Sequence, residues 1–176
     1  IVVLDEAVLG NRWLLPAGPL REPLGRLAEV DLMILHGPVS EALRACLPNR
    51  PLAPMALIGT HFERLGARHE QCSPAAFAGR RVHALAGIGR PERFFDQLRT
   101  LGLEVVPHPF ADHHAFCAED LALPPGEPIL LTEKDAVKCA PFAPEDTWVF
   151  PVRADIPAAA IQPILEKLEH HGRQTA

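Results

Sequence analysis

Apolar positions in this chain gather into strand-length runs and helix-spaced repeats, and the two kinds alternate. Ile1-Val2-Val3-Leu4 and Val30-Asp31-Leu32-Met33-Ile34-Leu35 have the near-continuous apolar character of strands buried on both faces. Between them, Pro16, Pro19 and Pro23 predict a stiff loop from Gly10 to Pro23 that is neither helix nor strand. Ser40 is a candidate N-cap for a short helix carrying Leu43 and Leu47, with Pro48 just beyond it. Farther on, Val82-His83-Ala84-Leu85-Ala86-Gly87-Ile88 reads as a buried strand. It is followed by the turn Gly89-Arg90 and by Pro91 at the first position of a helix. Phe94, Phe95, Leu98 and Leu101 recur at helical spacing, and Gly102 suits the residue just past a helix end. Leu103-Glu104-Val105-Val106 then predicts a second strand, giving a βαβ unit with a right-handed crossover. A third strand, Pro128-Ile129-Leu130-Leu131, runs into a helix capped by Thr132. The chain closes on an amphipathic helix from Ala158 to His171, with Ile161, Ile164, Leu165 and Leu168 expected to face a core.

Two β-biased stretches, residues 55–65 and 147–153, bracket the βαβ region. If they pair they form a two-stranded hinge, and the bracketed residues 66–146 become a small domain of their own. The expected fold is α/β, a small three-layer domain with a mainly parallel sheet, joined by that hinge to residues 1–54, the tail of a larger α/β core. Residues 154–176 form the C-terminal helix. Because Ile1 opens directly on an apolar strand, the chain reads as a fragment whose other part supplies neighbouring strands.

Charge narrows the function classes. Seventeen basic and 22 acidic side chains leave a formal charge of −5, so electrostatics gives no reason to expect nucleic acid as a partner. The cysteines, Cys46, Cys72, Cys117 and Cys139, form no Cys-x-x-Cys pair and read as small buried hydrophobes in a reducing compartment. No uncharged apolar run approaches the ~18 to 20 residues of a membrane span, and the chain is expected to be soluble.

Four segments carry candidate chemistry. Gly87-Ile88-Gly89, between strand and helix, opens like a dinucleotide fingerprint but lacks its third glycine. It reads as a tight turn, or as a place where phosphate or nucleobase rests on a helix N-terminus. His108-Pro109-Phe110-Ala111-Asp112-His113-His114-Ala115-Phe116 follows a strand, on a loop at the end of the sheet where α/β proteins place ligands. A histidine there, oriented by Asp112, suits acid–base work near neutral pH. Adjacent His113 and His114 point apart, so three converging metal ligands, and hence a metal, are not expected. The proline loop presents Arg21 and Glu22, either as a mutual pair or with Arg21 on a substrate anion. Lys134, inside a helix N-terminus, opposes the helix dipole and calls for phosphate or an acidic neighbour.

Gly10-Asn11 with Leu14 to Pro23, Ala86 to Gly89 with Pro91 and Arg93-Phe94-Phe95, His108-Pro109-Phe110 with Asp112-His113-His114, and Thr132 to Lys138 occur in one order. That ordered set resembles the C-terminal half of the tetraacyldisaccharide 4'-kinases of Gram-negative lipid A synthesis. The resemblance implies a kinase with a P-loop core domain, residues 1–54 being its remnant, that moves the γ-phosphate of ATP, with Mg²⁺, to the 4'-hydroxyl of a tetraacyldisaccharide 1-phosphate. It also implies work at the cytoplasmic face of the inner membrane, which the enzyme meets through its N-terminal part. By analogy His113 belongs to the catalytic or substrate-positioning set, oriented by Asp112 and partnered by an aspartate from the other half, while Arg21, Glu22 and Asn11 bind the acceptor. Gly87, Gly89 and Lys134 are candidate phosphate or nucleotide contacts. The sequence departs from the family in two places. No G-x-x-x-x-G-K-[ST] run is present, so the chain alone is expected to be inactive, and Asp5-Glu6-Ala7 replaces an Asp-Gly pair followed by a basic residue. Two other readings stay open: a self-standing nucleotide- or anion-binding module on Gly87-Ile88-Gly89, and a metal-dependent hydrolase centred on Asp112 and His113.

Overall fold

The computed structural model describes residues 1–174, with side chains through His170. Thr175 and Ala176, the end of the expected C-terminal segment, lie outside the described residues. The chain forms two units, Ile1–Ile58 with Ala154–Ala176 and Gly59–Arg153. Both are α/β, and parallel pairings predominate.

The first unit holds a four-stranded sheet in the order β1 (Val2–Leu4), β2 (Met33–His36), β3 (Leu52–Ile58), β10 (Arg153–Asp155). β1, β2 and β3 are parallel, with Val3 opposite Ile34 and Ile34 opposite Ala53. Alternation along β2 sends Met33 and Leu35 to a cluster with Leu4, Leu9, Leu27 and Leu43 of α1 (Glu41–Cys46). Leu32 and Ile34 turn instead toward Ala160, Ile161 and Ile164 of α4 (Ala158–Gln174), so a helix lies on each face. The apolar face expected of α4 is therefore divided: Ile161 and Ile164 pack, whereas Leu165 and Leu168 stay 48% and 64% exposed. Ser40 caps α1 as its hydroxyl accepts from the Leu43 amide, and its own N–H and O–H donate to Glu6 at 2.6 Å each. Those bonds, the hydroxyl's first, hold the Glu6 carboxyl below its usual range. Asp5 caps the short 3₁₀ turn Glu6–Val8, which is the form this departure from the family takes.

The second unit carries six strands, in the order β5 (Ala67–Cys72), β4 (Phe62–Arg64), β9 (Thr147–Phe150), β8 (Ile129–Thr132), β6 (Arg81–Ala86), β7 (Glu104–Pro109). The four from β9 to β7 are parallel, and β4 and β5 add an antiparallel edge. Period-two alternation again sorts the faces. Val82, Ala84 and Ala86 meet Phe94, Phe95 and Leu98 of α2 (Pro91–Thr100), while Leu85, Leu131 and Val149 meet Ala136 and Cys139 of α3 (Glu133–Cys139). Each fully buried Phe or Leu contributes about 1.5–3 kcal/mol, so the α2 face anchors this unit. α2 stops as expected: Gly102 takes φ +85°. Its amide donates to the Arg99 carbonyl and that of Leu103 to the Leu98 carbonyl, a Schellman ending.

The expected hinge segments are shared between the two sheets. Residues 55–58 continue β3 in the first, while Glu63 pairs with Val149 and Arg64 with Trp148 inside the second. Of the four free thiols only Cys139 is buried; Cys46 and Cys117 are exposed and Cys72 is partly covered, so the expectation of four buried cysteines is corrected.

Candidate functional site

Three parallel strands of the second unit end together, at Ala86, Pro109 and Thr132. His108 and Pro109 belong to β7 rather than to the loop, because the ladder continues with His108 opposite Leu85 and Pro109 opposite Ala86. His108 therefore faces away from the expected loop chemistry: its Nε2 lies 2.8 Å from His83 Nδ1, and His83 Nε2 lies 2.6 Å from Glu127. If His83 donates to Glu127 from Nε2, it accepts at Nδ1, and His108 donates. Burial first, and then the neighbouring His83, hold the His108 imidazole below its usual range.

The loop after β7 is tied down residue by residue. Phe110 donates its amide to Ala86, and its ring stacks on His114 at 4.6 Å. His114 Nε2 sits 2.9 Å from Asp120, whose carboxylate also accepts from the Cys117 amide and is held low by these bonds, the Cys117 amide first. His114 is thus part of the scaffold. His113, in contrast, adopts a left-handed φ of +62°, its amide donating to the Gly87 carbonyl and to Asp112 Oδ1. A non-glycine residue in that region costs of order 1–3 kcal/mol and persists only where its surroundings impose it. Its imidazole is 77% exposed, with Nε2 3.7 Å from Asp112 Oδ2, close enough for attraction but too far for a hydrogen bond.

Asp112 accepts from Lys134 Nζ at 3.1 Å, and this bond is the first cause of its lowered pKa. Lys134 therefore meets an acidic neighbour. Gly87 is closely packed, because a Cβ there would come within 3.0 Å of the Phe116 ring and 3.3 Å of His114 Cβ, and both would have to give. Its amide is engaged too, donating to Asp135 at 3.0 Å. Gly89 faces the Asp112 carboxylate, 3.5 Å from where its own Cβ would stand. Among the described residues, no three His, Cys, Asp or Glu side chains are grouped to hold a metal ion.

In the first unit, Asn11 braces the proline loop. Its Nδ2 donates to the Ala17 carbonyl at 2.8 Å and its Oδ1 accepts the Trp13 amide, so its amide group serves the loop's own shape. Glu22 pairs with Arg26 at 3.3 Å rather than with Arg21. Arg21 is exposed. It borders a cavity of about 470 Å³ lined by Val2, Leu4, Leu9, Leu20 and Leu24 among others. Trp13, Leu14 and Leu15 on the same loop are 64%, 45% and 61% exposed.

Reading the sequence missed Asp135, Lys138 and Asp120, and the His83–Glu127 pair. The spacing Thr132-x-x-Asp135 was a usable signal for the first, since a carboxylate at N3 normally closes a capping box. Thr132 does accept the Asp135 amide, but the carboxylate reaches to Gly87, far away in sequence.

Comparison with known proteins identifies the family. Residues 1–169 match the sequence profile described as tetraacyldisaccharide-1-P 4'-kinase. A tetraacyldisaccharide 4'-kinase of Aromatoleum aromaticum is 62% identical over 179 residues, covering 100% of this chain and 52% of the relative. One from an Azoarcus species is 59% identical, covering 100% of this chain and 51% of the relative. The crystal structure of LpxK from Aquifex aeolicus in complex with ATP shares the fold, with a TM-score of 0.65 at 24% identity, over 97% of this chain and 51% of that one. The chain spans about half the length of the curated relatives it matches. With the profile matched almost from end to end, the chain belongs to the tetraacyldisaccharide-1-P 4'-kinase family.

Proposed function

We propose that this chain forms part of a kinase that transfers the γ-phosphate of ATP to the 4'-hydroxyl of a tetraacyldisaccharide 1-phosphate, at the cytoplasmic face of the bacterial inner membrane. Family membership supports the reaction class. One observation carries the role of this half: a solvent-facing imidazole, His113, on a turn whose other polar groups are already engaged, 3.7 Å from a carboxylate. With Nε2 turned toward Asp112, Nδ1 is left to take the proton of the attacking hydroxyl. Asp112, kept ionised by Lys134, steadies the imidazolium that results. Arg21 grips an anion of the acceptor, from the loop that Asn11 braces and beside Glu22.

The phosphates of ATP do not fit the glycine turn. The Gly87 amide and the Lys134 ammonium already meet carboxylates, and Asp112 adds negative charge beside Gly89. ATP, Mg²⁺ and contact with the membrane surface are therefore assigned to the half of the family length that this chain does not span. No helix among the described residues is long and apolar enough to cross a membrane. The isolated chain is accordingly expected to show no kinase turnover.

The test is a fusion of this chain to the part of the Aromatoleum aromaticum relative that it does not cover. His113→Ala should lower kcat by about 10²- to 10⁴-fold if the imidazole is the general base. A loss of less than about tenfold would reduce His113 to scaffolding. Arg21→Ala should chiefly raise the KM for the acceptor, and an altered KM for ATP alone would contradict its assignment.

A further inference from the structure

Asp135 is fully buried, yet its carboxylate lies inside no site assigned so far. Its Oδ2 accepts from the Gly87 amide at 3.0 Å and from the Thr132 hydroxyl at 2.8 Å, while Oδ1 accepts from Lys138 Nζ at 3.0 Å. Lys138 also donates to the His114 carbonyl at 3.3 Å. One ion pair on α3 thus holds two separate points of backbone. The first is Gly87, whose carbonyl receives the His113 amide; the second is the residue immediately after His113. His113 is suspended between them, in a left-handed conformation uncommon for a residue other than glycine.

We propose that Asp135, acting with Lys138, is a positioning residue for the His113 imidazole. The proposal rests on the reading of His113 as the general base. A buried carboxylate that kept only one partner would be costly, so the three bonds are expected to stand or fall together. Asp135 touches no reacting atom in this reading. It fixes the glycine turn from below and, through Lys138, the His114 carbonyl, which holds the backbone of His113, and so the point from which its ring projects, in place.

Two measurements test this separately from the role of His113. In the 176-residue chain, Asp135→Asn keeps the shape of the side chain but cannot hold Lys138 as a charge partner. Amide hydrogen exchange at Gly87 and His113 should then quicken by more than about tenfold, while Leu85 and Phe95 keep their protection. Uniform acceleration, or none, would overturn the positioning role. If Asp135→Asn fails to fold, Lys138→Met makes the same test from the other end, with the effect expected at His113 and His114. In the fusion enzyme, Asp135→Asn should lower kcat by roughly 10²-fold with acceptor KM changed less than about threefold, and should cost less than about threefold once His113 is already alanine. Equal losses in both backgrounds would show that Asp135 acts elsewhere. Selective loosening of the turn with full activity retained in His113→Ala would instead leave the positioning intact and remove the general base.

Discussion

The His113 turn and the proline loop both lead away from a parallel strand, and they are finished in opposite ways. Around His113 the polar groups of the loop find partners within the same unit: Asp112 with Lys134, His114 with Asp120, Gly87 with Asp135. The proline loop is braced just as firmly along its backbone, through Asn11 and the Leu15–Leu20 and Leu20–Trp13 bonds. Its side chains are left outward, however, with Trp13, Leu14 and Leu15 exposed. Rigid backbone thus serves two purposes here. In one region it aims a single side chain, and in the other it presents a surface of apolar groups and one guanidinium of the kind that recognition uses.

That contrast can be broken at several points. The largest effect is expected away from both loops, at the α2 face of the second unit's sheet: Phe95→Ala should destabilise that unit by about 3–5 kcal/mol in urea unfolding, because the ring is fully buried. Survival of the native fold with a much smaller loss would mean that the α2 face does not anchor the second unit. A lesser effect is expected from pH. The folded state holds the His108 imidazole below its ordinary 6.5, so the unfolded chain binds more protons just under that value. Stability of the second unit should therefore be complete above about pH 6.5 and fall as the pH drops through it, and His108→Gln should flatten the profile. Asn11→Ala removes two hydrogen bonds from an exposed loop and should cost about 1 kcal/mol, read as a shift in the first unit's unfolding. Smallest of all, Trp13→Ala should change stability by no more than about 0.5 kcal/mol, since the ring is 64% exposed. A larger loss would show that the ring packs in solution and that the two loops are not opposites.

The elements that could be read from the sequence are those whose signals are local. Pro91, the Phe94–Phe95 pair and Gly102 mark α2 within a dozen neighbouring positions, and the structure places the helix at Pro91–Thr100. β5 went unread because Ala67-Arg68-His69-Glu70-Gln71-Cys72 has no apolar alternation. It is an edge strand, held by its ladder to β4 and by pairs such as Arg64–Glu70 at 2.7 Å. Leu165 and Leu168 show the reverse error, since helical spacing records which residues share a face but not how far the opposing sheet extends. At the site, the His113 loop was visible as an unusual cluster of residues, whereas its support was not. Asp135 looks like an ordinary acid in the first turn of a helix, and its meaning depends on a glycine 48 positions away.

The unequal environments of the cysteines have a practical use. Burial pushes the Cys139 thiol up to about 12 and, less strongly, raises that of Cys72, so both should be slow toward alkylating dyes. Cys46 and Cys117 are exposed, one in each unit. Hydrogen bonding to Glu119 holds the Cys117 proton, which should slow its reaction. Timed labelling would then attach one spectroscopic reporter to the first unit and a different one to the second, making the unaltered chain its own molecular ruler.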